Sequence, residues 1–420
     1  MILGNGGREH AFAHYVSQSK SIGKLYIAPG NAGTINCGVN IDLAVTQFDS
    51  IADFLAEKNV DLLIVGPEQP LVDGIRGFLE VDERLSSLKI LGPGKEGAQL
   101  EGSKSFSKRF MQRHNIPTAA YLEVDQNNLD EGLVFIDNQK PPIVLKANGL
   151  AAGKGVLIIK DKNEAKTELK NMLEGKFGNA SSKVLIEEFL DGIEFSVFIL
   201  TDGNTYKILP TAKDYKRIGE GETGLNTGGM GAISPVPFVD DDLMQIVENE
   251  IIKPTVNGLK QESIDYCGFI YFGLIKTEQG VKVIEYNARL GDPETQAVLP
   301  RIKTDLLQLF YATANRSLTT ISIEISNEHA ATVVCVSEGY PEAYEKGKAI
   351  KGLREVENGI VFHAGTKLID NEIVSNGGRV LAVSNLANDL SNALKNSYTD
   401  IDRLCYDGIG FRRDIGFEFL

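Results

Sequence analysis

The sequence is poor in cysteine and in basic residues, and each shortage argues against a class of protein. Its four cysteines form neither a CxxC motif nor a cysteine–histidine cluster, so neither a disulfide framework nor a zinc site is indicated. Lysine and arginine number 43 against 57 aspartates and glutamates. The resulting net charge of -14 argues against nucleic acid as a partner, because phosphate backbones are bound by clustered basic side chains. We therefore expect an acidic protein with reduced thiols.

Long apolar runs are also missing. The chain reaches Gly4 at once, which leaves no stretch for a signal peptide, and no later run approaches the roughly 20 apolar residues of a membrane span. No repeat at a fixed period and no low-complexity tract is present. We therefore expect a soluble, cytoplasmic protein without a membrane partner. It is expected to be a monomer, with weak self-association as the alternative.

Histidine is scarce, and its pattern indicates no nucleophilic catalysis. The five histidines share no spacing with a nucleophilic serine or cysteine. His10 and His14 lie four residues apart on a predicted helix, which would suit a metal, but no HExxH motif and no third ligand accompany them. We therefore leave both histidines out of the candidate site.

What the sequence does have is length, apolar residues and glycine. With 420 residues, 42% of them hydrophobic, the chain is too long for one core, and several packed units are expected. Up to about residue 94, short apolar runs such as 61–66 alternate with helical patterns, which predicts an open parallel sheet of βαβ units. From about residue 322, polar and apolar positions alternate, which predicts a small, separate β-rich unit without evident chemistry.

The first glycine-rich loop, residues 4–10, follows a strand and enters a helix. Such a loop offers backbone N–H groups and a helix N-terminus to an anion. A dinucleotide site is the alternative, but the fingerprint requires a small residue where Glu9 stands, and residues 27–31 supply no acid after the second strand. The loop therefore argues against a nicotinamide cofactor and a dehydrogenase.

A second glycine-rich loop, residues 147–155, lies between two predicted strands, 141–146 and 156–159. It is a hairpin and not a strand-to-helix phosphate loop. Its glycines would let backbone amides approach phosphates, and Lys146 and Lys154 add positive charge. The alternative is a plain flexible hairpin.

Two further segments carry carboxylates near strand ends. An apolar strand from residue 184 ends in Glu187 and Glu188, and Glu194 follows after a short turn. These carboxylates could hold ribose hydroxyls or an adenine amino group, or they could be ordinary solvated charges.

The sharpest pattern is the strand 281–289. Alternation with period two places Glu285, Asn287 and Arg289 on one face. Glu and Asn supply the hard oxygens that Mg²⁺ prefers, and Arg289 could clamp a phosphoryl group with two hydrogen bonds. The alternative is the polar face of an edge strand.

The segment 214–231 is too rich in glycine and charge for a strand or a helix, so a long loop is predicted. Long ordered loops are usually functional. The alternative, a disordered surface segment, is disfavoured by the apolar residues mixed with the glycines.

The order of these elements resembles that of the ATP-grasp superfamily. The sequences of the loops resemble those of the glycinamide ribonucleotide synthetase (phosphoribosylamine–glycine ligase) family. The resemblance covers essentially the whole chain. Its motifs are Gly4–His10, Ala28–Gly33, Gly66–Glu68, Lys146–Gly155, Asn226–Gly231 and Asn287–Gln296. The alternatives are another ATP-grasp ligase, a biotin-carboxylase-like enzyme, and a nucleotide-binding regulator without turnover; the intact 285–289 face counts against the regulator.

The resemblance implies an α/β protein of three domains. An N-terminal Rossmann-like substrate domain would span residues 1–100, and a two-lobed ATP-grasp domain residues 101–321, with its glycine-rich lid lobe at about 119–190. A small β-rich domain would span residues 322–420. The implied reaction, in de novo purine biosynthesis, joins glycine to 5-phosphoribosylamine with ATP and Mg²⁺ or Mn²⁺. Glycyl phosphate and ADP form first, and the amine then displaces phosphate.

The resemblance also implies residue roles. The metal would be bound by Glu285 and Asn287, and the catalytic residues would be Arg289, Lys146 and Asp214. The nucleotide would be bound by Lys104, Lys146, Gly153, Lys154, Gly155, Glu187, Glu188 and Glu194. The two other substrates would be framed by Gly6, Gly7, Arg8, Glu9, Asp214, Lys216, Asn226, Thr227, Gly228, Gly229, Met230, Gly231, Pro293, Glu294 and Thr295. Many ATP-grasp enzymes carry a further acid on the strand before the metal strand, but residues 268–275 offer none. We therefore expect a metal that depends on nucleotide oxygens and water.

Overall fold

The computed structural model describes residues 1–151 and 155–420. The chain begins with an open, five-stranded parallel sheet in the order β3-β2-β1-β4-β5. Its strands are β1 (Ile2–Gly4), β2 (Tyr26–Pro29), β3 (Val39–Asn40), β4 (Leu62–Val65) and β5 (Lys89–Leu91). The accompanying helices are α1 (Gly7–Val16), α2 (Phe48–Glu57), α3 (Glu68–Asp73) and α4 (Ile75–Glu80). The predicted βαβ sheet is confirmed.

This sheet is buried on both faces, which explains its short, uniformly apolar strands. Ile2 and Ile64 pack with helix α1 in one core, while Leu3 and Val65 point the other way into a second core. The carboxyl ends of β1, β2 and β4 meet at one edge, and the loops that follow them carry three of the glycine-containing motifs. Ligands of open α/β sheets bind at this edge.

The second part of the chain builds a small sheet in the order β6-β9-β7-β8, with all pairs antiparallel. Its strands are β6 (Tyr121–Val124), β7 (Ile143–Ala147), β8 (Val156–Ile159) and β9 (Val184–Glu188). Helices α5 (Gln99–Gly102) and α6 (Lys104–Arg113) precede it, and α7 (Leu129–Asn138) and α8 (Lys162–Asn171) pack on it. Pairing of Ile143 with Ile159 and of Lys146 with Val156 confirms the predicted hairpin.

The third part contains the strand that carries Glu285. Its strands are β10 (Ile193–Thr201), β11 (Tyr206–Ile208), β12 (Lys213–Asp214), β13 (Arg217–Gly219), β14 (Thr223–Asn226), β15 (Gly231–Ser234), β16 (Gly268–Thr277) and β17 (Gly280–Asn287). Its helices are α9 (Asp241–Val247), α10 (Lys253–Gln261), α11 (Glu294–Val298) and α12 (Leu306–Ala314). Strands β11, β10, β16 and β17 form an antiparallel sheet, one face of which packs on α9 and α10. Part of the opposite face packs in the main core through Phe198, Leu200 and Phe269, and the rest carries the site.

The last part is a mainly antiparallel sheet in the order β12-β15-β18-β22-β19, with β23 beside β18. Its further elements are β18 (His329–Ser337), β19 (Ile360–His363), β20 (Thr366–Ile369), β21 (Glu372–Ser375), β22 (Arg379–Ala387), α13 (Leu390–Ile401) and β23 (Ile409–Gly410). The β-rich content is as expected, but the unit is not separate. Strand β15 belongs to this sheet because its buried residues 231–234 pair with β18, and β12 pairs with β15 in turn. The segment 214–231, predicted as a loop without strands, joins these two strands and itself contains the paired strands β13 and β14.

Within residues 1–151 and 155–420, no helix combines the length and the apolar composition that crossing a bilayer would require.

Candidate active site

Strand β17 presents Glu285 and Asn287 on its open face because of an irregularity. Strict alternation would put Glu285 on the same face as Val281 and Val283, which belong to the hydrophobic core. The register instead shifts: Gly273 pairs with Glu285 but Leu274 pairs with Val283, so Ile284 is one residue too many. This β-bulge reverses the parity of the strand and turns Glu285 out of the core.

Glu285 lies in a strongly positive environment. Burial alone would raise the pKa of its carboxyl, but the surrounding cations outweigh burial and lower that pKa. Those cations, in decreasing order of effect, are Lys216, Lys146, Lys104 and Arg289. Burial in turn lowers the pKa of Lys104, and Glu285 opposes that shift. The structure thus brings together side chains that are distant in sequence and gathers cations around an ionised carboxylate.

Arg289 and Asn287 are both held by Glu101, a residue that the sequence analysis missed. The Glu101 carboxylate accepts a hydrogen bond from Ala288 N at 2.7 Å and pairs with Arg289 Nη2 at 2.8 Å. With the Asn287 amide oriented to satisfy its neighbours, its nitrogen donates to Glu101 Oε1 at 3.0 Å. Glu68 approaches Arg289 Nε at 3.4 Å from the loop after β4. These carboxylates orient the Arg289 guanidinium. Because the Asn287 nitrogen faces Glu101, the side-chain oxygen of Asn287 lies on the side away from Glu101.

A second buried cluster joins Lys108 and Lys146 through Glu187. Glu187 Oε2 lies 3.0 Å from both Lys108 Nζ and Lys146 Nζ, and its Oε1 has no hydrogen-bond partner in the part of the chain that the structure describes. Burial lowers the pKa of Lys108 to about 8, although Glu187 opposes the shift. Glu188 points elsewhere, where it accepts from Ala120 N and from Lys282, each at 3.0 Å. Only the first of the paired acids therefore faces the interior.

The predicted substrate residues Asp214, Lys216 and Glu294 form an acidic cluster together with Glu194. Lys216 Nζ lies 3.8 Å from Asp214 Oδ2 and 3.6 Å from Glu194 Oε2. Burial, followed by the charge of Asp214, raises the pKa of Glu294 to about 7. Burial also raises the pKa of Asp214, while Asp214 is the main cause that raises the pKa of Lys216. The cluster contains three carboxylates and one lysine, so it favours the binding of a positively charged group.

The acidic cluster and strand β17 share one small cavity of about 10 Å³. Its lining includes Glu194, Asp214, Lys216, Tyr271 and Glu285. The hydroxyl of buried Tyr271 accepts from Ser196 Oγ at 2.9 Å. On β16 the residue opposite Glu285 is Gly273, and a Cβ there would lie 3.2 Å from Glu285 Cγ. The absence of a side chain at Gly273 therefore leaves room for Glu285.

The first loop binds carboxylates of the chain itself. Glu9 Oε2 accepts from Gly6 N at 2.7 Å, and Asp292 Oδ2 accepts from Arg8 N at 3.2 Å. The Arg8 side chain is buried against Glu9 and donates to the carbonyl of Leu290. The amides that were predicted to receive an anion are thus partly occupied, and Glu9 has a structural role at the start of α1.

The loop 226–231 lies beside this arrangement. Thr227 Oγ1 donates to Lys216 O at 2.8 Å and accepts from Gly229 N at 2.9 Å. Gly229 has a φ of 118°, and Pro293 Cδ would lie 2.4 Å from any Cβ there, so glycine is required. The Met230 side chain packs in the main core, and Gly231 pairs within β15. Asn226 is exposed at the end of β14, and Gly228 N donates to Tyr340 Oη at 3.0 Å.

The glycine-rich hairpin is tied to the start of α6. Asn148 Oδ1 accepts from Ser105 N at 2.8 Å, and its carbonyl accepts from Lys104 N at 3.0 Å. Gly155 closes the hairpin stem, where its carbonyl accepts from Ala147 N at 2.8 Å. The predicted nucleotide residues Gly153 and Lys154 lie outside the described residues.

Several residues at the site carry no local sequence signal. Glu101, Lys108, Tyr271 and Arg379 reach it from elements that look ordinary in isolation. Asp292, which accepts from Arg8 N in the first loop, and Gln296, which donates to Asp292, belong to the motif 287–296 and could have been found there.

Comparison with known proteins agrees with this geometry along the whole chain. The phosphoribosylglycinamide synthetase N domain matches residues 1–101, the ATP-grasp (A) domain residues 102–295 and the C domain residues 330–418. The phosphoribosylamine–glycine ligase of Clostridium acetobutylicum is 45% identical over 419 residues, which cover 99% of each chain. The crystal structure of phosphoribosylamine–glycine ligase from Thermotoga maritima has a TM-score of 0.85 at 33% identity and 98% coverage of both chains.

More distant structures share the architecture. The biotin carboxylase domain of the Hydrogenobacter thermophilus 2-oxoglutarate carboxylase, solved with MgADP and bicarbonate, has a TM-score of 0.73 at 16% identity. It covers 97% of this chain and 91% of its own. This likeness confirms the ATP-grasp fold class, while the full-length matches separate the chain from the carboxylase alternative. The chain belongs to the phosphoribosylglycinamide synthetase family, and it is an ADP-forming ligase that makes glycinamide ribonucleotide from glycine, phosphoribosylamine and ATP.

Proposed function

We propose that Glu285 and Asn287 hold the divalent cation of the nucleotide complex, and that Arg289, Lys146 and Lys104 face the phosphates. The observation that carries this proposal is the ionised Glu285 carboxylate, whose pKa is held down by four cations although it is buried. An anionic ligand surrounded by phosphate-binding cations suits a site that brings a metal and a polyphosphate together.

The donor set fits Mg²⁺ or Mn²⁺. Both side chains offer hard oxygens, and among the described residues there is no group of three or more His, Cys, Asp or Glu that could hold a metal. A cation with so few protein ligands takes the rest of its shell from phosphate oxygens and water. When bound, it would neutralise charge on the transferring phosphoryl group.

The nucleotide side of the proposal uses the lysine cluster. Lys146 is paired with Glu187, and ATP would offer it a phosphate close to Gly155 and the hairpin. Glu187 Oε1, which has no hydrogen-bond partner among the described residues, could accept from the adenine amino group. Glu188 and Glu194 were expected to line the same pocket. The contacts of Glu188 with Ala120 and Lys282 and the place of Glu194 beside Lys216 give them outer positions.

The proposed reaction follows from positioning. The glycine ammonium would lie in the Asp214–Glu294 cluster, which directs the glycine carboxylate toward the γ-phosphate of ATP. The carboxylate oxygen forms a bond to phosphorus, ADP leaves, and Arg289 steadies the resulting glycyl phosphate. The phosphoribosylamine nitrogen then attacks the acyl carbon, phosphate leaves with the C–O electrons, and the nitrogen loses a proton. We propose that Glu294, whose pKa burial raises to about 7, would accept that proton.

We propose that the enzyme works in the cytoplasm as a monomer without nucleic acid or membrane partners. The loop 226–231 and Pro293–Thr295 would frame glycine and the ribose phosphate.

The test measures ADP and phosphate release from MgATP with glycine and freshly prepared phosphoribosylamine, omitting each substrate in turn. Replacing Glu285 by Gln should reduce kcat by at least about 100-fold and raise the Mg²⁺ concentration needed for half-maximal activity. Glu278→Gln, in the exposed turn of the same hairpin, is the matched control. Wild-type turnover and Mg²⁺ dependence in Glu285→Gln would refute the metal assignment.

A further inference from the structure

Glu418, in the carboxyl-terminal tail, lies against the strand that carries Asp214. Its Oε2 accepts a hydrogen bond from the Tyr215 hydroxyl at 2.8 Å, and its Oε1 lies 3.3 Å from Lys213 Nζ. The residues immediately before and after Asp214 are therefore bound by one carboxylate from a distant part of the chain.

Alternation along this strand gives its two faces different partners. Lys213 and Tyr215 point to one face, toward Glu418. Asp214 and Lys216 point to the other face, where they line the small cavity of the site. Glu418 therefore contacts the strand from the side away from the site, and any effect that it has on the site must pass through Lys213 or Tyr215.

Glu418 is held in place by the residues beside it. The ring of Phe419 stacks on Phe238 with their centroids 6.0 Å apart. The ring of Phe417 packs against Tyr215 with their centroids 6.4 Å apart. Because both neighbours are anchored to the body of the protein, the carboxylate between them is presented to the strand in a fixed position.

The Lys213 ammonium lies between Glu418 and the acidic cluster. Besides approaching Glu418, it donates to the backbone carbonyl of Glu194, a member of the cluster, at 3.3 Å. Burial raises the pKa of Asp214, and the cations that oppose this shift are Lys216 and then Lys213. Lys213 is thus close enough to act on the cluster, but among the described residues its ion pair is with Glu418.

A second ammonium group among these carboxylates would compete with the ammonium of glycine. Lysine has a flexible stem, so a Lys213 side chain without Glu418 would turn toward the nearest remaining carboxylates, those of Asp214 and Glu194. We propose that Glu418 is a positioning residue for glycine binding, which holds the Lys213 ammonium away from the acidic cluster and leaves the cluster for glycine. The inference rests on the proposed function, since glycine is placed in the cluster there.

The test is a double-mutant cycle on the KM for glycine. Glu418→Gln can still accept from Tyr215 but no longer forms an ion pair with Lys213. It should raise the glycine KM about 5-fold, the effect of one partly exposed charge, and leave kcat and the KM for ATP within about 2-fold of the wild type. Lys213→Gln alone should bind glycine as the wild type does.

The double variant is the decisive measurement. Glu418→Gln combined with Lys213→Gln should return the glycine KM to within about 2-fold of the wild-type value, because the competing ammonium has been removed. A role of Glu418 in stability alone predicts the opposite, since a second lost contact would add to the damage. A glycine KM that remains high in the double variant would therefore overturn the proposal.

Two further variants keep the outcomes distinct. Glu278→Gln, in an exposed turn, should leave all three constants unchanged. Asp214→Asn tests the placement of glycine itself and should raise the glycine KM at least about 10-fold. If Asp214→Asn has this effect and Glu418→Gln has none, the placement of glycine stands and the role of Glu418 is refuted. An unchanged glycine KM in Asp214→Asn would refute both.

Discussion

At the scale of single residues, the site depends on carboxylates that touch no reacting atom. Glu101 is the clearest case, because one buried carboxylate holds Ala288 N, Arg289 Nη2 and the Asn287 amide. Groups that orient ligands of a metal often affect activity nearly as strongly as the ligands themselves. The proposed metal ligands could be predicted from the sequence, but Glu101 could not, since it lies 186 residues away from Asn287 in a segment without a motif.

We predict that Glu101→Gln lowers kcat about 10- to 100-fold and raises the Mg²⁺ requirement, while the fold is retained. The amide keeps the shape of the side chain but removes the negative charge that pairs with Arg289. Steady-state kinetics across a Mg²⁺ series, with exposed Glu96→Gln as the control, would measure the change. Unaltered kcat and Mg²⁺ dependence would show that Glu101 has no positioning role.

At the scale of elements, the β-bulge in β17 orients Glu285, and the carboxyl-terminal tail positions the loop that carries Lys216. The tail holds the loop that carries Lys216. Arg412, 1% exposed, donates to Arg217 O at 3.1 Å and to Glu222 Oε1 at 2.5 Å, and pairs with Asp414 at 2.8 Å. Asp414 Oδ2 also accepts from Gly221 N at 2.7 Å. The hairpin of β13 and β14 is thus tied to residues about 190 positions further along the chain.

We predict that Arg412→Gln destabilises the protein by about 2–4 kcal/mol, because a buried cation is removed and its carboxylate partners lose their pairing. The KM for glycine should rise as the loop loosens, with a smaller effect on ATP. Urea unfolding and substrate titrations would check both effects, and the neighbouring exposed Arg413→Gln should behave like the wild type. An unchanged glycine KM would mean that the tail does not position the loop.

At the scale of the whole molecule, the amino-terminal and carboxyl-terminal sheets are joined through buried histidines. His363 N donates to His10 Nδ1 at 2.7 Å, and Asn31 donates to His363 O at 2.8 Å. Burial, followed by the charges of His363 and His14, lowers the pKa of His10 to about 3, and burial lowers the pKa of His363 to about 4. His10, which the sequence analysis left out of the site, therefore has a structural role as an unprotonated acceptor.

This arrangement predicts acid sensitivity. The folded state binds fewer protons than the unfolded state, whose histidines titrate near 6.5, so stability falls as the pH decreases from 6.5 toward 3. His10→Asn keeps an acceptor but cannot be protonated, so it should unfold less steeply with acid over that window. Urea unfolding at pH 7 and at pH 4.5 would measure the slope. A variant with the wild-type slope would show that His10 does not contribute to it.

The sequence by itself determined the features that depend on near neighbours in the chain. These include the βαβ alternation, the glycine-rich hairpin, the loop motifs and the face with Glu285, Asn287 and Arg289. Each rests on local periodicity or on glycine at tight turns, which act over a few residues. The orientation of Glu285, however, also depends on pairing with β16. Strict alternation would have placed Glu285 on the core face with Val283, and the bulge in that pairing turns it outward.

Only the tertiary structure decided which distant residues meet. Packing brought Glu101 to Arg289, paired β13 with β14 inside the predicted loop 214–231, and placed Arg379 across a cavity from the first loop. Such contacts carry no local signal, because a charged residue before a helix or strand looks the same whether it faces solvent or a partner. The physical reason is that burial, shared charge and cavity shape are properties of several segments together and arise only when the chain has folded.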